Sequence, residues 1–76
     1  MPHVIVKMLP GRTGQAKANL AEAITRAVMQ HANCAETSVS VSIEDVAADA
    51  WTAQVYTPDI AGKPHTLYKK PGYDPA

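Results

Sequence analysis

The sequence predicts an α+β fold built on one βαβ unit, and three stretches predict it. His3 to Leu9 (HVIVKML) is rich in β-branched residues, residues 14–32 carry an apolar stripe at helical spacing, and Ser38 to Glu44 (SVSVSIE) alternates strictly. A strand, a helix of this length and a second strand make two parallel strands joined by one crossover helix, which is right-handed in nearly all proteins.

The first strand is apolar on both faces around Val4-Ile5-Val6, the pattern of a strand covered on both sides. Pro10-Gly11 ends it, because proline lacks the ladder donor and glycine permits the turn. In the helix, Ala16, Leu20, Ala23, Ile24, Ala27, Val28 and His31 form the apolar stripe, and Glu22 with Arg26 makes a favourable pair one turn apart. Asn33 is the expected left-handed stop. In the second strand Val39, Val41 and Ile43 share a dry face, while Ser40, Ser42 and Glu44 share a polar one. A short helical turn is expected over residues 45–50. Beyond Trp51, Pro58, Gly62, Pro64, Pro71, Gly72 and Pro75 predict short turns or a hairpin.

The chain of 76 residues is expected to be a single domain over 1–76, and its core is thin. Thirteen of its apolar residues are alanine, Val, Ile and Leu together number fourteen, and Phe is absent. A chain of this size buries only ~60–65% of its unfolded surface, and such cores need a staple, a metal or a partner. Cys34 is the sole cysteine, so no internal disulfide forms, and His3, His31 and His65 lack metal-ligand spacing. No metal and no cofactor are expected. The remaining source of stability is a homo-oligomer that extends the sheet, a dimer ahead of a hexamer.

Seven basic and seven acidic residues cancel, and no basic stripe follows a phosphate backbone, so no nucleic-acid partner is expected. No apolar run reaches the length of a membrane span and no signal peptide opens the chain, so no membrane partner and a cytoplasmic location are expected.

Catalytic constellations of the usual kinds are absent: there is no paired-carboxylate motif, no Ser/His/Asp pattern and no phosphate-cradling glycine loop. Cys34 has only His31 one turn away as an activating neighbour and reads as a small residue at a helix end. Chemistry then falls to the start, MPHVIVKMLPGR. If Met1 is excised, Pro2 carries a free secondary amine held at the edge of a core. Burial disfavours its charged form, which moves it toward the range where a general base works best. If Met1 is retained, the Pro2 nitrogen is an amide and cannot be a base. Arg12 reads either as a ligand for an anion or as a solvated turn residue. Trp51 reads as a pocket wall or as packing, and Ser40 as a binding residue or as one polar position of an alternating strand.

Pro2 after the initiator Met, a β-rich run, Gly11-Arg12 opening a helix, and TSVSVSIE closing a βαβ unit together resemble the 4-oxalocrotonate tautomerase family. Trp51 and LYKKPGY (residues 67–73) resemble its longer-tailed subgroup, the dimeric bacterial enol-phenylpyruvate tautomerases. The resemblance implies a cofactor-independent isomerase that interconverts the enol and keto forms of a 2-oxo acid, with Pro2 as the amino-terminal base. It implies that Arg12 holds the substrate carboxylate, that Trp51 is an aromatic wall and that His3 flanks the base. Ser40 departs from the arginine that diacid enzymes carry there, which shifts the expected substrate to an aromatic or smaller monoacid. Two alternatives stand beside this reading. One is a relative that hydrates, dehalogenates or decarboxylates with a cationic Pro2; the other is a non-catalytic oligomeric binding protein, if Met1 stays. Pro2 and Arg12 lie at opposite ends of the first strand, ~20–25 Å apart at ~3.3 Å per residue, so a shared site needs two subunits.

Overall fold

The computed structural model describes residues 1–75; Ala76, where the expected domain ends, lies outside the described residues. Two compact units divide the chain, Met1–Asp45 and a second beginning at Val46.

The first unit is the βαβ element. Strand β1 spans His3–Met8, helix α1 Gly14–His31 and strand β2 Ser40–Asp45. The strands pair in parallel, in a register that sets His3 beside Ser40, Val4 beside Val41 and Met8 beside Asp45. Since side chains alternate along each strand, Val4, Val6, Met8, Val41, Ile43 and Asp45 share one face. Helix α1 lies on that face, because Lys17 reaches across to Asp45 at 2.8 Å. The opposite face carries His3, Ile5, Lys7, Ser40, Ser42 and Glu44.

Ile5 on that opposite face is 54% exposed, so within one chain β1 is covered on one face, and the second cover expected from its composition is left to the expected oligomer. The βαβ unit supplies one helix, and one helix covers one face. No residue of α1 is fully buried, which fits the thin core expected from the alanine content.

The face that α1 presents also differs from the expected stripe. Lys17, Leu20, Ala21, Ile24, Thr25, Val28 and Met29 are half-buried, whereas Ala16, Ala23, Ala27 and His31 are exposed. The row of large side chains at 20, 24 and 28 sets the contact, and alanines carry too little apolar area to rotate the helix toward them. Lys17 lays its stem along the sheet and delivers its ammonium to Asp45. Thr25 satisfies its hydroxyl on the Ala21 carbonyl at 2.8 Å.

Both helix ends have local causes. The Thr13 hydroxyl accepts from the Ala16 N–H at 3.1 Å and caps the first turn. Asn33, at φ 53°, provides the left-handed stop. A 3₁₀ turn over Glu36–Ser38 follows, in which the Val39 N–H donates to the Glu36 carbonyl at 3.0 Å. That turn takes the residues expected to open β2, so the strand starts at Ser40 and runs to Asp45.

The second unit has a different construction. A 3₁₀ turn over Ala48–Ala50 leads through Trp51 into a ten-residue π-helix, Thr52–Ala61, and a 3₁₀ turn covers Pro64–Thr66. Among the described residues β1 and β2 are the only strands, so the hairpin alternative for this tail is not realised. Pro58, expected to break the chain, sits inside the helix. Proline has no N–H, and its ring collides with the carbonyl four residues earlier in an α-helix; the wider π turn carries that carbonyl away from the ring. The Gly62 N–H closes the helix on the Thr57 carbonyl at 2.9 Å, and a Cβ at Gly62 would lie 2.8 Å from that same oxygen. Among the described residues Val46 and Val55, 8% and 5% exposed, are the buried apolar ones.

Candidate active site

The parallel register delivers the amino terminus to the start of β2. The Ser40 N–H donates to the Pro2 carbonyl at 3.2 Å, so Pro2, itself half-buried, is fastened where the two strands begin. Met1 before it is fully exposed. The next residue, His3, has its Nδ1 2.6 Å from Ser40 Oγ. Pro2, His3 and Ser40 thus form one cluster at the open end of the sheet.

Arg12 lies at the other end of β1, beyond the turn where Gly11 takes φ 125°. Its guanidinium donates to the Leu9 carbonyl at 3.4 Å, the long end of a hydrogen bond, and makes no ion pair among the described residues. The guanidinium is exposed, and the strand keeps it away from Pro2 of the same chain.

Trp51 belongs to the second unit, where it is half-buried. Its indole Nε1–H donates to the Tyr73 hydroxyl at 2.9 Å. Tyr73 in turn meets Tyr56 with ring centroids 5.8 Å apart and planes tilted by 52°, a favoured geometry for an aromatic pair. Tyr56, Tyr73 and the His3–Ser40 bond were not singled out from sequence. Tyr56 lies in the π-helix that no sequence period announces, Tyr73 lies beyond irregular chain, and the last depends on side-chain rotamers.

Other features stand apart from these residues. Cys34 turns its thiol toward the Val28 carbonyl at 3.9 Å, at the end of α1. A shallow cleft lined by Glu22, Thr25, Arg26, Met29 and Glu36 includes none of the residues above, and the Arg26–Glu22 ion pair of 2.7 Å lies along it. Among the described residues no three His, Cys, Asp or Glu side chains group as metal ligands, and no helix is long and apolar enough to cross a membrane.

Comparison with known proteins gives the chain a family. Residues 2–57 match the family model described as tautomerase enzyme. The chain is 41% identical over 73 residues to a "Probable tautomerase" of Xylella fastidiosa, covering 96% of this chain and 89% of the relative. It is 43% identical over 74 residues to "Tautomerase PptA" of Klebsiella pneumoniae strain 342, covering 96% and 97%. Among solved structures it is similar to YwhB, described as a homologue of 4-oxalocrotonate tautomerase, with a TM-score of 0.61 and 44% identity over 63% of this chain and 79% of that one. The βαβ unit, the crossover helix and these likenesses agree: the chain belongs to the tautomerase family and is an isomerase of the tautomerase type.

Proposed function

We propose that the protein interconverts the enol and keto forms of a 2-oxo monoacid, with Pro2 as general base once Met1 is removed. The observation that carries the reading is the fastening of Pro2 to Ser40 at the head of the sheet, beside an exposed Met1. An exposed initiator residue is open to a peptidase, and a proline tied through its carbonyl keeps a fixed nitrogen. The amine takes the enol hydroxyl proton and its conjugate acid returns a proton to carbon, so no cofactor or metal takes part.

Arg12 is assigned the substrate carboxylate, which suits its open, planar fork. Ser40 is assigned a polar contact near the reacting oxygen. Trp51, braced by Tyr73, is assigned the remainder of the substrate, and this favours an aromatic acid. A neutral serine at position 40 offers no charge to a second carboxylate, which argues against a diacid.

The separation of Pro2 and Arg12 along β1 calls for a homo-oligomer in which one subunit supplies the base and another the arginine, with a dimer favoured over a hexamer. The half-exposed Ile5 face of the sheet supports association as well. Mixing a Pro2 variant with Arg12→Ala protein tests this: activity toward the enol of phenylpyruvate, followed by loss of enol absorbance, should recover in mixed oligomers. If mixed oligomers form and recover nothing, base and arginine are not shared between subunits. The cytoplasm is the proposed location.

A further inference from the structure

We propose that His3 is a positioning residue for this reaction: its imidazole turns the Ser40 hydroxyl into a hydrogen-bond donor aimed at the substrate's enol oxygen. The inference rests on the reading of Pro2 as base and extends it to the oxygen side of the chemistry.

The geometry is specific to these residues. His3 and Ser40 are register partners on adjacent strands, and Nδ1 approaches Oγ to 2.6 Å, at the short end of hydrogen bonding. The backbone N–H of the same serine is committed to the Pro2 carbonyl. Ser40 is therefore tied through its backbone to the base residue and through its side chain to the residue after it. Both His3 and Ser40 are exposed, so water would satisfy either group and the fold does not require the bond. The next ionisable pair in register on this face, Lys7 and Glu44, lies four residues farther along, ~13 Å away. Among the side chains of the sheet, His3 is thus the ionisable group at the Ser40 hydroxyl.

A serine hydroxyl has one proton to give. When Nδ1 is bare, Oγ spends that proton on the ring and offers only lone pairs outward. When Nδ1 carries a proton, the ring donates to Oγ and the hydroxyl proton is released toward the substrate. The enol oxygen loses its proton to the Pro2 nitrogen and becomes an enolate oxygen. The outward Ser40 O–H stabilises that charge, and the ring N–H behind it polarises the donor further. The Pro2 ammonium then delivers its proton to carbon, giving the keto acid and restoring the amine. One proton leaves oxygen and one arrives at carbon. Ser40 touches the substrate; His3 acts through it.

A double-mutant cycle on protein lacking Met1, with the enol of phenylpyruvate as probe, tests the pair. Ser40→Ala should lower kcat by ~10²–10³-fold, as for loss of one oxyanion donor. His3→Ala should lower it by roughly 10–100-fold, as for loss of an orienting partner, with KM within about threefold. The double variant should be no slower than the worse single one, because the two residues act as a unit. His3→Asn, which places an amide N–H near the position of Nδ1–H, should recover most of kcat. A parental kcat in His3→Ala, losses that simply multiply, or no recovery in His3→Asn overturns the inference. The same assay on protein retaining Met1 separates the two readings. Full activity there overturns the Pro2 base, whereas lost activity without coupling between His3 and Ser40 overturns only the role of His3.

Discussion

Residues 1–45 owe their shape to repetition of the backbone, whereas residues 46–75 owe theirs to particular side chains. In the first unit a six-step parallel ladder and an eighteen-residue helix place Pro2, His3, Ser40 and Arg12 by register alone, with side chains no more than half-buried. The second unit has no strand among its described residues. It holds the buried Val46 and Val55, a helix of unusual pitch closed at Gly62, and an aromatic set joined by a Trp51–Tyr73 hydrogen bond. The family model ends at residue 57, yet the full-length relatives match through 96% of the chain, so the tail is common to those relatives. The contrast teaches where function and stability should separate. Changes in the ladder region should act on turnover, and changes in the tail apart from Trp51 on folding.

Among changes that test this contrast, the largest effect should come from Arg12→Ala. Loss of the arginine clamp is expected to lower kcat/KM by ~10²-fold or more, while Tm stays unchanged because Arg12 gives up only one long hydrogen bond. Arg12→Lys should recover part of the loss, since the charge remains and the fork does not. Steady-state rates beside a thermal melt check both, and a large drop in Tm would break the proposed division.

Gly62→Ala should do the reverse. A Cβ there meets the Thr57 and Pro58 carbonyls at 2.8 and 2.9 Å. Backbone cannot yield cheaply, so a destabilisation of about 1–3 kcal/mol is expected, which lowers Tm by about 4–8 °C for each kcal/mol in a domain of this size. Scanning calorimetry measures it, and unchanged stability would mean that the π-helix end relaxes freely.

Tyr73→Phe should have the smallest effect. It removes the acceptor for the Trp51 indole and leaves the ring in its tilted contact with Tyr56. Because Tyr73 is 47% exposed, water replaces the lost partner and the cost should stay near or below about 1 kcal/mol. Tryptophan fluorescence should nonetheless shift, since its single source reports on the indole environment. An unshifted spectrum would show that the hydrogen bond does not persist in solution.

The same contrast governs what could be read in advance. Alternation in SVSVSIE revealed the two faces of β2, because a period of two survives any packing. The strand starts two residues later than the alternation suggests, since Glu36–Ser38 closes local backbone 3₁₀ hydrogen bonds instead of pairing with β1. The length of α1 and the stop at Asn33 were legible from local signals. Its buried face was not, because alanines at 16, 23 and 27 satisfy a helical period without committing bulk to the sheet. Parallel pairing implied that Pro2 lies beside the start of β2, and the Ser40–Pro2 bond is found there. No periodicity predicts a proline inside a π-helix, or a bond between Trp51 and Tyr73 across 22 residues.

The most direct measurement compares kcat/KM for the enol of phenylpyruvate in two preparations of one chain, one with a free Pro2 amine and one with Met1 retained. Intact mass identifies each form, and light scattering with circular dichroism establishes that both are folded and oligomeric. An amide at Pro2 has no basic lone pair, so the retained form should be slower by at least the ~10²–10⁴-fold typical of losing a positioned base. A folded, oligomeric protein that retains Met1 and turns over at the full rate would contradict Pro2 as the base.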